Sequence, residues 1–262
     1  MCLILFANKI HPDYPLVLAA NRDEHYARPA APAALWKDEP RIYGGRDLEQ
    51  GGTWLGVTRA GAFAAVTNYR GGVGAKHPLR SRGELAAGYL RGYQRPADYL
   101  AQVRSDADAY NGFNLIAGNL TEMHVMSNRG DPGGSIEPGV HGLSNHLLNT
   151  PWPKVERGKK RLRELLGTGS QAMIDGLFSL LGERTIAADD ALPATGVGVE
   201  RERVLSPAFI VSPGYGTRAS TVVLIGNDGK VIFIERSFGE GGHHLGTTTA
   251  TIALERLPTA AA

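Results

Sequence analysis

A single cysteine, Cys2, among 262 residues leaves no intramolecular disulfide to staple the fold. With no Cys-x-x-Cys and no His-x₃-His spacing, the pattern of a structural zinc site is missing as well, and no metal ligands are assigned. Covalent haem attachment is excluded by the lack of Cys-x-x-Cys-His, whereas non-covalent ligation by one of the eight scattered histidines stays open. Long apolar runs are also absent. No stretch approaches the roughly 18 residues that a membrane span needs, and the opening Met1-Cys2-Leu3-Ile4-Leu5-Phe6-Ala7 lacks the basic flank and the length of a secretory leader. Nor does one sign of charge dominate: 28 basic and 26 acidic side chains give a net charge of +2. The densest basic run, Arg157 to Arg163, reads as the wet face of a helix rather than a nucleic-acid arm. These absences imply a cytoplasmic protein with no nucleic-acid partner and no membrane span.

What is present is enough apolar material, 42% of residues, for a substantial core, and 34 glycines without period, which suit many tight turns. The first part reads as strands. Cys2–Asn8 and Leu16–Asn21 form one hairpin candidate, Thr53–Thr58 and Ala62–Asn68 a second; their continuous apolar runs fit sheets covered on both faces. Ser81-Arg82-Gly83-Glu84 has the form of a capping box opening a helix to about Gly92, and a second helix is expected from Pro96 to Tyr110. Strands at Asn114–Asn119 and Met123–Ser127 precede a Pro/Gly-rich stretch, Asp131–Gly139. Helical periodicity returns at Lys154–Leu166 and Gln171–Leu180. Residues 185–204 read as a mobile surface loop. Thr217–Gly226 and Lys230–Phe238 flank Asn227-Asp228-Gly229, the strongest hairpin signal in the chain, and residues 247–262 carry no assignment. Gly71-Gly72-Val73-Gly74-Ala75-Lys76 lacks the ending of a phosphate loop and reads as a plain loop.

Strand pairs, helix pairs and strand pairs in that order are not the alternation of a doubly wound sheet. They fit an α+β fold: a four-layer αββα sandwich of two packed, mainly antiparallel sheets with helix pairs outside, in a single domain spanning 1–262.

Cys2 carries the chemistry. Removal of Met1, normal before a small residue, would put a thiol and a free α-amine on one residue. An α-amine titrates near 7.7–8.0 and a thiol near 8.5, so nucleophile and base would be joined. The candidate strand beginning at Leu16 ends in Asn21-Arg22-Asp23-Glu24, which a hairpin places beside Cys2. Arg22 and Glu24 share one face, Asn21 and Asp23 the other; a guanidinium would favour the thiolate and a carboxylate the ammonium. Asn68 and Asn145 each close an apolar run with an amide that could serve an oxyanion. Arg218, inside an apolar strand, needs a partner or a cavity mouth. Trp36, Trp54 and Trp152 read as packing residues.

The Met-Cys start, Asn21-Arg22-Asp23-Glu24, Gly51-Gly52-Thr53-Trp54-Leu55-Gly56, Thr67-Asn68-Tyr69-Arg70, Gly142-Leu143-Ser144-Asn145 with Pro151-Trp152-Pro153-Lys154, and Tyr215-Gly216-Thr217-Arg218 together resemble the NRDE proteins, the transport and Golgi organisation family. That family resembles in turn the cysteine N-terminal-nucleophile (Ntn) hydrolases of the choloylglycine hydrolase and penicillin V acylase type. The resemblance implies an Ntn-hydrolase-like fold with Cys2 as nucleophile, Asn68 and Asn145 binding oxyanion and amine, and Arg218 as the late arginine. Arg22 and Asp23 match less closely, being adjacent here and separated by two residues in the acylases. Asn21, Glu24, Trp54, Tyr69 and Arg70 complete the expected binding set. The implied function is hydrolysis of a small linear amide or acyl substrate without a required cofactor. The alternative is a non-catalytic carrier of haem or of a lipid or acyl-coenzyme A, its anionic groups met by Arg22, Arg70 or Arg218.

Overall fold

A computed structural model describes residues 2–71, 80–130 and 133–255. The loop read at Gly71–Lys76 and the end of the unassigned tail fall largely outside these residues. The strands in chain order are β1 (Cys2–Asn8), β2 (Leu16–His25), β3 (Ala30–Leu35), β4 (Ile42–Asp47), β5 (Leu55–Thr58), β6 (Phe63–Asn68), β7 (Phe113–Gly118), β8 (Met123–Ser127), β9 (Gly134–Ser135), β10 (Gly139–Leu143), β11 (Val211–Ser212), β12 (Tyr215–Ile225), β13 (Lys230–Phe238) and β14 (His244–Ala253). The helices are α1 (Gly83–Arg91), α2 (Pro96–Ser105), α3 (Pro153–Leu165), α4 (Ser170–Leu181) and α5 (Val199–Leu205).

Two antiparallel sheets result. One runs β10-β1-β2-β12-β13-β14, with β11 paired to β12; the other runs β3-β4-β5-β6-β7-β8-β9. Period-two alternation divides each strand between two cores. Ile4, Phe6, Leu18 and Ala20 meet Leu55, Val57, Phe63 and Ile116 between the sheets. Leu3, Leu5, Val17 and Ala19 turn the other way onto Val155, Leu162, Leu177 and Leu181 of α3 and α4. Ala64, Val66, Leu115 and Ala117 face Leu85, Tyr89, Leu90 and Leu100 of α1 and α2. The layers are therefore α1/α2, sheet, sheet, α3/α4, the expected αββα order, and the unbroken apolar runs of β1 and β2 follow from cover on both faces.

Several local expectations change. The capping box does not close: α1 starts at Gly83, the Ser81 hydroxyl accepts from the Gly83 N–H at 3.3 Å, and Glu84 turns away to Arg80 and to the Tyr110 hydroxyl at 2.5 Å. The second helix stops at Ser105, with a 3₁₀ turn at Ala107–Ala109 after it. Residues 185–204 are not simply a surface loop, since Asp189–Ala191 forms a 3₁₀ turn and α5 buries Glu202. Residues 247–253 belong to β14, at the edge of its sheet. The Asn227-Asp228-Gly229 turn forms as expected, with Gly229 at φ 75°.

One close approach fixes where the cleft described below is walled. A Cβ on Gly52 would lie 2.4 Å from the Gly83 carbonyl carbon and 2.8 Å from the Glu84 nitrogen, so the start of α1 rests directly on the Gly52-Thr53 backbone. Thr53 N–H donates to the Gly83 carbonyl at 3.1 Å across this contact. Backbone atoms cannot swing aside as a side chain would. Gly52→Ala is expected to cost about 1–3 kcal/mol, read as a lower melting temperature. Gly134→Ala, where a Cβ would meet nothing within 4 Å, is the matched control and should change little.

Candidate functional site

Antiparallel pairing of β1 with β2 sets Cys2 directly opposite Arg22. The alternation that sends Ile4 and Ala20 between the sheets sends Cys2, Arg22 and Glu24 to the same side, and Asn21 and Asp23 to the helix side. Of the adjacent pair, Arg22 therefore shares the face of the thiol. Cys2, Arg22, Glu24, Trp54, Asn68 and Arg82 line a cleft of about 300 Å³, to which Asp23 also contributes.

Arg22 is only 6% exposed, and its guanidinium carbon lies 4.3 Å from the centre of the Trp54 ring. Gly45 makes room for that ring, because a Cβ there would fall 2.1 Å from it. Burial pulls Arg22 below the usual arginine range, against the opposing influence of Glu24 and Cys2. Burial pushes the Cys2 thiol up, and the Asp23 carboxylate adds to this. Arg22 and a hydrogen bond from the Asp23 backbone act in the other direction. The balance leaves a neutral thiol at neutral pH, one that needs a proton acceptor before it can attack.

On the far side of β2, Asp23 accepts from the Thr217 hydroxyl at 2.7 Å and is 1% exposed. Burial raises its carboxyl, with Lys154 and Arg70 opposing. Lys154, in the first turn of α3, is 3% exposed and donates to the Leu205 carbonyl at 2.9 Å; burial lowers it to about 8. Sequence reasoning quoted Lys154 only as the end of the Pro151-Trp152-Pro153-Lys154 motif and the start of a helix, and gave it no role in this region. A cation in the first helical turn, where the helix dipole disfavours it, was the available signal. Asn21 is a tie rather than a ligand group: its amide donates to the Leu181 and Ala208 carbonyls at 2.8 Å each and accepts from Ser220 at 2.6 Å.

The remaining expected residues divide. Asn68 lines the cleft, and its side-chain amide makes no hydrogen bond among the described residues. Asn145 is fully buried behind it. Its amide donates to the Asn68 carbonyl at 2.9 Å, and its side-chain oxygen accepts from Ser144 and Arg70. Tyr69 pairs with His146 at 2.8 Å, away from the cleft. Arg70 forms a buried ion pair with Glu202 at 2.5 Å and lies 4.7 Å above the Trp152 ring. Arg218 occupies a β-bulge between Thr217 and Ala219, and its Nη1 donates to the carbonyls of His25, Tyr26 and Arg28 at 2.9–3.0 Å. It braces the exit of β2 rather than lining the cleft of Cys2. Arg82, not singled out from sequence, enters the cleft because the Gly52–Gly83 contact brings the start of α1 there. Among the described residues no group of three or more His, Cys, Asp or Glu side chains is arranged to hold a metal, and no helix is long and apolar enough to cross a membrane.

The family model for Transport and Golgi organisation 2 matches residues 1–240. The Transport and Golgi organization protein 2 homolog of Bos taurus is 37% identical over 277 residues, covering 97% of this chain and all of that protein. The Homo sapiens homolog is 36% identical, covering 90% and 93%; the Drosophila melanogaster protein is 28% identical, covering 90% and 92%. Two solved structures show partial likeness. One is a Caenorhabditis elegans N-acylethanolamine-hydrolyzing acid amidase ortholog, at TM-score 0.48 and 12% identity over 85% of this chain and 92% of that one. The other is a C2A mutant of the conjugated bile acid hydrolase from Clostridium perfringens, at 0.44 and 10% over 97% and 92%.

Beyond Arg22, Glu235 of β13 is wholly buried between the sheets. It accepts from the Ala33 N–H at 2.7 Å and the Thr221 hydroxyl at 3.0 Å. Burial pushes its carboxyl up to about 7, although both donors and the charge of Arg22 favour ionisation. A carboxyl raised on folding contributes stability that is complete below its unfolded range and is lost as pH rises through the folded value. Melting temperature should therefore fall between about pH 5 and about pH 8, and Glu235→Gln, which can keep both contacts, should flatten the fall. Parallel curves for the two proteins would exclude this residue as the source.

Proposed function

The chain belongs to the Transport and Golgi organisation 2 family, and on that footing we propose that it is a cysteine amidohydrolase of the N-terminal-nucleophile type, acting on a small linear amide or related acyl compound. One observation carries the reading: the thiol of Cys2 lines a polar cleft with Arg22 on its own face and the uncommitted amide of Asn68 beside it. With Cys2 as the first residue of the working chain, its α-amine takes the thiol proton and the sulfur attacks the substrate carbonyl. The developing oxyanion is met by the Asn68 amide, while Arg22 favours the thiolate. The ammonium returns its proton to the departing amine, leaving a thioester on Cys2. A water molecule, deprotonated by the same amine, then releases the carboxylic acid. Asp23, on the helix side of the strand, supports the charged form of the amine.

A second reading is a non-catalytic carrier on the same scaffold, holding haem or a lipid or acyl-coenzyme A. One observation favours it: Asn145 and Arg218, which the family resemblance would give to catalysis, commit their polar groups to backbone and neighbouring side chains.

Intact-mass measurement followed by labelling with a thiol-directed acylating probe separates the two. The expected result is loss of Met1, a single adduct on Cys2, and turnover of simple fluorogenic amides that Cys2→Ala lowers by more than about a thousandfold. Asn68→Ala should lower kcat by a factor of roughly 10²–10³ without changing the fold. Turnover by a protein that retains Met1 would refute the mechanism. A haem Soret shift indifferent to Cys2→Ala, with no amide turned over, would establish the carrier instead.

A further inference from the structure

Part of the densest basic run in the chain borders a cavity rather than plain surface. This cavity, of about 390 Å³, lies in the helix layer between α3, the end of α4 and the segment at Ala208. Lys154, Arg157 and Arg161 of α3 line it, together with Arg184, which follows α4. Positions three and four apart share one face of a helix, so α3 presents all three of its cations to the same space.

The charges in this wall do not balance. Four cationic side chains meet one carboxylate, that of Glu183, whereas the cleft of Cys2 sets four arginines among four Asp and Glu side chains. In a chain with 28 basic and 26 acidic residues, such an excess is local. The end of α4 brings Ser179 and Leu180 to the wall, and its last carbonyls carry about half a negative charge. That answers one cation and not four. Arg157 donates to the Thr185 carbonyl at 3.2 Å, and the Arg184 guanidinium carbon lies 5.0 Å from the centre of the Phe209 ring; neither forms an ion pair among the described residues. Arg161 meets Glu164 at 2.8 Å, an exposed pair of a kind that contributes little.

Lys154 deepens the excess. It is 3% exposed, donates to the Leu205 and Pro207 carbonyls, and at about 8 keeps its proton at neutral pH. Asp23 and Arg70 act on it from the strand side with opposite signs, and neither lines the cavity. Its charge therefore acts in surroundings poor in water, where Coulombic attraction is strongest. Like charges four apart on a helix, as at Arg157 and Arg161, repel one another. A ligand with more than one negative charge would relieve that repulsion.

We propose that this cavity binds a small dianion of the phosphate class, free or as the terminal group of a phosphomonoester. Arg157 and Arg184 offer it planar, forked donors, while Arg161 and Lys154 add positive charge from the wall. The volume falls within the roughly 300–1,000 Å³ of small-molecule sites, which leaves room for a short organic group beside the phosphate. The site is on the helix side of β2, across the strand from the thiol, so it stands apart from the reading of Cys2 as nucleophile.

Calorimetry of the full chain at low ionic strength, with inorganic phosphate and with glycerol 3-phosphate, tests this. One dianion per chain is expected, with a Kd in the millimolar range or below. Phosphate should also raise the melting temperature of the unaltered protein more than sodium chloride of equal ionic strength does. Arg157→Gln and Arg184→Gln keep long polar side chains at half-buried and exposed positions, and each should weaken binding at least about tenfold, the loss of one charge-assisted hydrogen bond. Arg163→Gln, on α3 but outside the cavity, and Arg82→Gln, in the cleft of Cys2, remove the same charge and should change binding little. Equal affinity for the two ligands would identify the terminal phosphate of an ester as what the cavity takes; binding of phosphate alone would identify the free ion. No binding of either, or binding that Arg163→Gln weakens as much as Arg157→Gln, would overturn the site. A loss confined to Arg82→Gln would overturn it too, by moving the anion to the cleft of Cys2.

Discussion

The cleft exists because two sheets are clasped together at one end by hydrogen bonds between Thr67-Asn68-Tyr69-Arg70 and Ser144-Asn145. The Thr67 hydroxyl donates to the Ser144 carbonyl at 2.8 Å, the Arg70 N–H to the Asn145 carbonyl at 2.6 Å, and the Asn145 amide to the Asn68 carbonyl at 2.9 Å. Elsewhere the sheets meet mainly through apolar side chains, with few directional ties such as that from the Ala33 N–H to Glu235, and apolar contact is strong but non-directional. It would tolerate a small slide of one sheet over the other. The clasp would not, because each buried group left without its partner costs about 1–3 kcal/mol. Since Ser144 also donates to the Cys2 carbonyl at 3.1 Å, the same set of bonds locates the start of β1 relative to Asn68 on the opposite sheet. Asn145 thereby earns a role in placing the site without lining it.

Behind the clasp the fold buries charge at a density that stability alone does not recommend. Arg70 and Glu202 face each other with side chains 4% and 3% exposed, and Lys154 and Asp23 lie nearby in the same layer. Burying an ion pair costs several kcal/mol per charge in desolvation, which mutual attraction offsets only when further hydrogen bonds complete the geometry. Here they do: Glu202 also accepts from Thr195, Arg70 also donates to Asn145, and Lys154 donates to the Leu205 carbonyl. Replacing any one member would leave another charge uncompensated. The short helix α5 is held by this pairing together with the buried side chain of Leu205, the rest of it being mostly exposed.

Sequence reasoning reached most of the fold for one physical reason: the central strands are covered on both faces and so carry unbroken apolar runs. β1, β2, β6, β7, β12 and β13 all announce themselves in that way. The strands it missed lie where that signal fades. β3 is Ala30–Leu35 with Pro32 inside it, β4 contains Gly44 and Gly45, and β14 alternates threonine and alanine at a sheet edge. At the site, alternation along β2 separated Arg22 and Glu24 from Asn21 and Asp23 but left open which pair shares the face of Cys2; the register that sets Cys2 opposite Arg22 decides it. What could not be read was how far an amide or guanidinium is already committed. Asn145 and Arg218 resemble their counterparts in a motif, yet their hydrogen bonds come from residues 75 and 190–193 positions away in sequence. Arg82 was hidden for a similar reason, because a contact between two glycines, not a local pattern, brings it to the cleft.

Alternation along β2 has a further consequence for how one tetrapeptide serves two environments. Asn21 and Asp23 enter the helix layer, where the first ties β2 to Leu181 and Ala208 and the second meets Thr217 and the field of Lys154. Arg22 and Glu24 enter the space between the sheets, where they share the cleft with the thiol. A regular partner strand would repeat this alternation to its end. The bulge at Arg218 interrupts it, so that Ala219 rather than a larger residue opposes Arg22, and the Arg218 guanidinium is turned onto the carbonyls that follow β2. A bulge of this kind re-aims side chains and sharpens local twist. Its position beside Arg22 leaves that guanidinium room to stack on Trp54 with no carboxylate locked against it, and so keeps a buried positive charge available on the same face as the only thiol in the chain.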